Sequence, residues 1–176
     1  PYRNFIFRSI KKQCRRNKGK EYKILYKDPK APIEARINDL LSRMTLREKI
    51  LQLNQYIVDK NTNENNIGEV LNSYPKESGS YIYFSDNATL RNRIQKQAVE
   101  ETRLGIPALF GYDVIHGFRT IYPISLGQAC SWNPDLVKKA CAMAAQETRK
   151  SGTEWTFSPM IDVAHDGRWG RVSEGY

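Results

Sequence analysis

Ile106-Pro107-Ala108-Leu109-Phe110-Gly111-Tyr112-Asp113 is the stretch around which the rest of the chain arranges itself. Apolar and aromatic residues run from Ile106 to Tyr112 between turn-forming Leu104-Gly105 and a charged loop, which predicts a strand over 106–112. On its N-terminal side, Asp86 or Asn87 is placed to cap a helix running to about Arg103, which Leu104-Gly105 ends. That helix is preceded by Tyr81-Ile82-Tyr83-Phe84, a short apolar run read as a strand buried on both faces. On its C-terminal side, Asn133-Pro134, an N-cap followed by a first-turn proline, starts a helix with Val137, Ala140, Cys141, Ala144, Ala145 and Thr148 on one face. Gly152 stops it, and Trp155 to Val163 reads as a third strand.

Strands alternating with helices of this length mean parallel βαβ units in an α/β fold. The expected architecture is the N-terminal part of a (β/α)8 TIM-type barrel. A closed barrel takes eight such units and roughly 250 residues; about three are readable over 31–176, so the barrel is incomplete. Two helices precede them. Ile33, Ile37, Leu40, Leu41 and Met44 recur at helical spacing after Pro32, predicting a helix over about 33–43. Thr45-Leu46-Arg47-Glu48 fits a capping box and opens the second, with Leu46, Ile50, Leu51 and Leu53 as its buried stripe. Residues 59–66 read as a polar loop. Pro1 in place of Met, and the bare ending Glu174-Gly175-Tyr176, read as cuts through a longer gene product.

The chain of 176 residues carries a net charge of +9. Residues 1–30 hold 11 Lys/Arg against 2 Asp/Glu, leaving 17 of each sign in residues 31–176. The basic excess therefore belongs to a solvated or disordered N-terminal extension, and nucleic-acid binding is not expected of the neutral remainder. Cys14, Cys130 and Cys141 show neither a disulfide framework nor metal spacing. Phe5-Ile6-Phe7 is too short for a secretory apolar core, so any signal peptide lies upstream of Pro1. No run approaches the ~20 residues of a membrane span.

Both long strands hand over to charged loops, residues 111–119 and 162–174, which a barrel brings to one face. Asp113 and two or three arginines converging there can grip a neutral, hydroxyl-rich ligand by charge-assisted hydrogen bonds. Trp169 supplies a flat apolar wall against which a sugar ring packs.

Thr45-Leu46-Arg47-Glu48-Lys49-Ile50, Asp113-Val114-Ile115-His116-Gly117, Phe118 to Pro123, Trp132-Asn133-Pro134-Asp135-Leu136 and Ser158 to Val163 through Gly170-Arg171 occur in order. In these motifs the chain, over about 31–176, resembles the N-terminal barrel domain of glycoside hydrolase family 3, the β-glucosidase and β-xylosidase group. The resemblance implies a retaining exo-acting glycosidase that hydrolyses terminal non-reducing β-D-glucosyl residues of small β-linked oligosaccharides or glucosides. It implies a barrel followed by an α/β sandwich domain, no cofactor, and a periplasmic or secreted location. By the same resemblance Asp113 binds hydroxyls of the sugar at the cleaved bond, Arg119 stands beside it in some members, and Arg171 belongs to the same subsite.

Retaining hydrolysis needs two carboxyl groups about 5–5.5 Å apart. The family takes its nucleophilic Asp from a later strand and its acid/base Glu from the second domain, both beyond Tyr176. The chain alone is therefore expected to be inactive. Gly167 stands where the family usually has Pro, and His165 where it often has Arg.

Plainer roles accompany these. Arg168 and Glu174 are expected to pair and shape the loop, and His116 to be a packing histidine. Trp132 and Trp155 are expected in the core. Asp162, His165 and Asp166 are not expected to hold a metal. An alternative reading is a non-catalytic sugar-binding or scaffold protein derived from the barrel; a further one has the basic segment bind nucleic acid. Oligomeric state is not readable, although open strand edges predict association of the isolated chain.

Overall fold

The computed structural model describes residues 24–59, 61–62, 65–85 and 87–176. They fall into two compact units, divided between Met44 and Thr45. Most of the basic extension, residues 1–23, and the alternative cap Asp86 lie outside the described residues.

In the N-terminal unit, helix α1 (Ile33–Arg43) follows a 3-10 turn at Leu25–Lys27. Asp39 on α1 accepts the Tyr26 amide at 3.1 Å, and the Arg36 Nε donates to the Tyr26 carbonyl at 3.2 Å. Residues 24–30, expected to belong to a disordered extension, are thus partly tied to α1. The helix itself groups with them rather than with the sheet.

In the second unit the elements follow in order: α2 (Leu46–Gln52), β1 (Gln55–Val58), α3 (Ile67–Ser73), β2 (Ser80–Tyr83), α4 (Ala88–Glu100), β3 (Leu109–Tyr112), α5 (Ser125–Ala129), α6 (Pro134–Lys150) and β4 (Trp155–Thr156). The sheet order is β1-β2-β3-β4 and every pairing is parallel. This is the α/β arrangement expected of an unclosed barrel, with four strands instead of three.

The helix boundaries follow from local chemistry. The Thr45 hydroxyl accepts the Glu48 amide and the Glu48 carboxylate accepts the Thr45 amide, completing the capping box. Asn87 and Asn133 cap α4 and α6 through the amides of Leu90 and Leu136, each at 3.0 Å. Gly152, at φ 88°, ends α6 where a side chain would be strained.

The core lies between the sheet and α3 and α4. It comprises Val58, Ile67, Tyr81, Tyr83, Leu90, Ile94, Ala98, Ala108 and Phe110. Phe110, 1% exposed, stacks on Tyr81 with centroids 5.9 Å apart and takes the Tyr83 ring edge-on at 5.4 Å. Burying each such side chain contributes about 1.5–3 kcal/mol. Arg91 lies over the rings of Tyr83 and Phe110 and donates to the Ser151 carbonyl at 2.7 Å, linking α4 to the turn before β4.

Several expectations need correction. β1 and α3 went unread in the sequence. Strand β2 is fully buried on one face and incompletely on the other: Tyr81 and Tyr83 lie in the core, whereas on the opposite face Ser80 is buried, Ile82 half-buried and Phe84, just past the strand, exposed. An unclosed sheet has helices on one side and, among the described residues, no barrel interior on the other. On α2 only Leu51 is buried, with Leu46, Ile50 and, just past the helix, Leu53 exposed, and Trp155 is left at the open face of the sheet. Trp132 is not core either; it is 93% exposed, in the α5–α6 turn at φ 49°. The last strand pairs over two residues, Trp155 and Thr156, not nine; just past it the Phe157 amide still donates to the Tyr112 carbonyl at 3.2 Å. On the open face the Phe157 ring covers Gly111 so closely that a Cβ there would lie 2.6 Å from it.

Candidate functional site

The two loops singled out in the sequence leave adjacent strands, β3 and β4, whose register pairs Gly111 with Trp155 and Tyr112 with Thr156. Asp113 is the first residue after β3. Arg171 reaches it from the second loop, with Nη2 3.9 Å from the Asp113 Oδ1. Both side chains are nearly half exposed, so the pair is open to a ligand.

Arg171 is braced from its other side by Glu174, whose Oε2 accepts its Nε at 2.8 Å and also its Nη2. This hydrogen bond raises the Arg171 pKa, with charge from Asp113 and Asp162 adding to it. Reciprocally, Arg171 holds the Glu174 carboxyl below its ordinary range, and His116 contributes. Three carboxylates, Asp113, Asp162 and Glu174, thus act on one guanidinium.

The expected Arg168–Glu174 pair does not form. Arg168 folds back on Asp166, with its amide and Nε each 2.9 Å from Oδ1. Partners two or three residues apart win because the 3-10 turns Gly167–Trp169 and Val172–Glu174 place them side by side. Trp169 lines a shallow hollow of about 380 Å³ with Asp162 to Asp166.

Arg119 sits apart from the Asp113–Arg171 pair. It lines a hollow of about 310 Å³ with Phe84, Arg91, Tyr112, Phe118 and Lys150, in which neither Asp113 nor Arg171 takes part. Its guanidinium is 5.7 Å from the Phe118 ring centre. His116 is half-buried, and its Nδ1 is 2.8 Å from the Tyr122 carbonyl. A carbonyl only accepts, so Nδ1 carries the proton. His116 faces an apolar cavity of about 390 Å³ with Val114, Ala140, Cys141 and Ala144 among its walls. Among the described residues no three His, Cys, Asp or Glu side chains gather as metal ligands.

The loop between Asp113 and Tyr122 is a tight structure of its own. Gly117 pairs with Ile121 in an antiparallel bridge, and the Tyr122 amide donates to the His116 carbonyl at 2.7 Å. Gly117 is at φ 129°, and a Cβ on it would lie 2.1 Å from the Thr120 carbonyl oxygen. Two contributors went unread in the sequence. Asp162 opens the charged loop and stands in a family motif, but the sequence does not show its charge acting on Arg171. Glu147, on α6, accepts hydrogen bonds from Arg119 and Thr120; nothing in its helical pattern signals a contact so distant along the chain.

A parallel sheet with acid and guanidinium groups on neighbouring C-terminal loops is the site geometry of a barrel enzyme. The pattern of the glycosyl hydrolase family 3 N-terminal domain matches residues 45–176, and the chain belongs to that family of glycoside hydrolases. It is 39% identical over 143 residues to a periplasmic beta-glucosidase of Salmonella typhimurium, covering 81% of this chain and 18% of the relative. Among solved structures, a beta-glucosidase from Listeria innocua in complex with glucose is 37% identical with a TM-score of 0.68, over 80% of this chain and 21% of that one. A mutant of the same Listeria enzyme, in complex with laminaribiose, also has a TM-score of 0.68 at 37% identity, over 81% and 21% of the two chains. The chain spans about a fifth of the length of these relatives. Its fold is accordingly the opening part of a TIM-barrel-like α/β domain.

Proposed function

We propose that this chain is the sugar-recognition part of a retaining, exo-acting β-glucosidase that removes terminal non-reducing β-D-glucosyl residues from small β-linked oligosaccharides. The observation carrying this reading is the 3.9 Å approach of Arg171 to Asp113 across loops from adjacent strands. A pyranose offers hydroxyls that both donate and accept, so a carboxylate beside a guanidinium matches two neighbouring hydroxyls at once. Glu174 holds Arg171 in orientation, and Trp169 gives the ring a flat apolar neighbour. Arg119 serves an adjoining part of the substrate from its own hollow.

Chemistry at the anomeric carbon requires a nucleophilic carboxylate and an acid/base carboxyl. The family resemblance assigns both to residues outside this chain, so the 176 residues alone bind weakly and do not hydrolyse. A periplasmic location follows the naming of the Salmonella relative, and a glucoside substrate follows the ligands of the Listeria enzyme.

Asp113→Ala in the full gene product tests the reading with an aryl β-glucoside. A lost hydrogen bond to a charged group is worth about 1.5–3 kcal/mol, so kcat/KM falls roughly 10- to 150-fold while the melting temperature stays close to that of the unmutated protein. An unchanged kcat/KM removes Asp113 from the subsite. A folded wild-type protein that binds glucose without cleaving any glycoside establishes the non-catalytic sugar-binding alternative instead.

A further inference from the structure

Glu147 lies near the C-terminal end of α6, and its carboxylate faces the tip of the loop that follows β3. It accepts the Arg119 amide at 3.1 Å, the Thr120 amide at 2.9 Å and the Thr120 hydroxyl at 2.6 Å. Two consecutive main-chain N–H groups and a hydroxyl aimed at one point make an anion cradle. Here a side chain of the same protein fills it. The loop is thereby fastened at both ends: the Gly117–Ile121 bridge closes its base, and Glu147 holds Arg119 and Thr120 at its tip.

We propose that Glu147 is a positioning residue for sugar recognition, holding the loop after β3 so that Arg119 lies along the hollow beside Tyr112 and Phe118 and Asp113 stays turned toward Arg171. The proposal rests on the β-glucosidase reading above. Recognition by hydrogen bonds needs the binding groups held to about 0.5 Å by a supporting shell. The Gly117–Ile121 bridge and the Tyr122–His116 bond close the base of this loop, and the three bonds to Glu147 fix its tip, Arg119 and Thr120, against α6. The chemistry of the reaction is carried out elsewhere, so loosening this loop weakens binding more than it slows turnover.

Glu147→Ala and Glu147→Gln in the full gene product separate the roles. In Glu147→Ala, KM for an aryl β-glucoside rises about 10-fold or more and kcat changes less than about threefold. Glu147→Gln, which keeps one acceptor oxygen, recovers part of the loss. In parallel, the Arg119 and Thr120 amides lose hydrogen-exchange protection in Glu147→Ala while the β2 and β3 amides keep theirs. A KM unchanged in Glu147→Ala overturns the proposal, even where the melting temperature falls. Should Glu147→Ala fail to fold, the same comparison on Glu147→Gln decides. A wild-type protein that cleaves no β-glucoside overturns the enzymatic reading and the proposal with it; an active wild type whose variants keep their KM overturns the proposal alone.

Discussion

Replacing Gly117 by Ala changes one methyl group and strikes the loop that carries Asp113 at its narrowest point. At φ 129° the backbone occupies a region that a side chain disfavours by roughly 1–3 kcal/mol. The new Cβ would also stand 2.1 Å from the Thr120 carbonyl oxygen, where ordinary contact begins near 3.4 Å, so the backbone must shift by about an ångström. That shift breaks the Gly117–Ile121 bridge and the 2.7 Å bond from the Tyr122 amide to the His116 carbonyl. The bond adds about 1 kcal/mol, for a total near 2–4 kcal/mol. In a domain of this size each kcal/mol lowers the midpoint by about 2–4 °C, so a fall of roughly 5–15 °C is expected. Gly167→Ala is the control, because Gly167 has nothing within 4 Å of its Cβ position and no positive φ. Differential scanning calorimetry of the two variants compares like with like: same residue change, same chain. If Gly117→Ala melts within about 1 °C of Gly167→Ala, the loop is not held as described.

Other consequences concern pH and loop stiffness. Glu48 is held at a pKa of about 2 instead of 4.5, first by its hydrogen bond from Arg103 and then by the Thr45 amide. A lowered folded-state value means the stabilisation is full above the ordinary carboxylate range and is lost as pH falls from about 4.5 toward 2. Urea melts between pH 2 and 6 will therefore show a steeper acid loss in the wild type than in Glu48→Gln, and parallel curves would contradict the assignment. Gly167→Pro is expected to stabilise by about 0.4–1 kcal/mol, since the position opens a 3-10 turn where proline fits. Asp166 before it, at φ −144° and ψ 127°, already has a conformation that tolerates a following proline. A lower denaturation midpoint for Gly167→Pro would show that the turn needs glycine.

Where local chemistry decides, the sequence was readable. The Thr45–Glu48 capping box, the Asn87 and Asn133 caps and the Gly152 stop each depend on residues within one turn, and each forms. The alternation of apolar runs with amphipathic helices likewise carried the parallel α/β fold. Strand β1 was missed because Gln55-Tyr56-Ile57-Val58 has only four residues and starts two residues after a helix, so its apolar positions run on from the helical pattern. Burial on both faces was over-read from Tyr81 to Phe84, since composition does not tell a closed sheet from an open one.

The candidate site divides along the same line. Charged loops after two parallel strands pointed to Asp113 and nearby arginines, and the family resemblance singled out Asp113, Arg119 and Arg171 among them. Which of them meet was settled by distance in space: the neighbouring strands bring Arg171 to Asp113, while Arg119 turns into another hollow. The braces were hidden as well. Arg171 took Glu174 and Arg168 took Asp166, a choice made by the two 3-10 turns and not by charge, which suits every pairing equally. Glu147 reaches its partners 27 and 28 residues away only because α6 folds back beside the loop. Amino-acid order alone set the caps, turns and apolar periods, since those energies depend on near neighbours. Tertiary packing alone brought Arg171 to Asp113 and Glu147 to the loop after β3, and left one face of the sheet open, since these depend on residues that become neighbours only once the strands have paired.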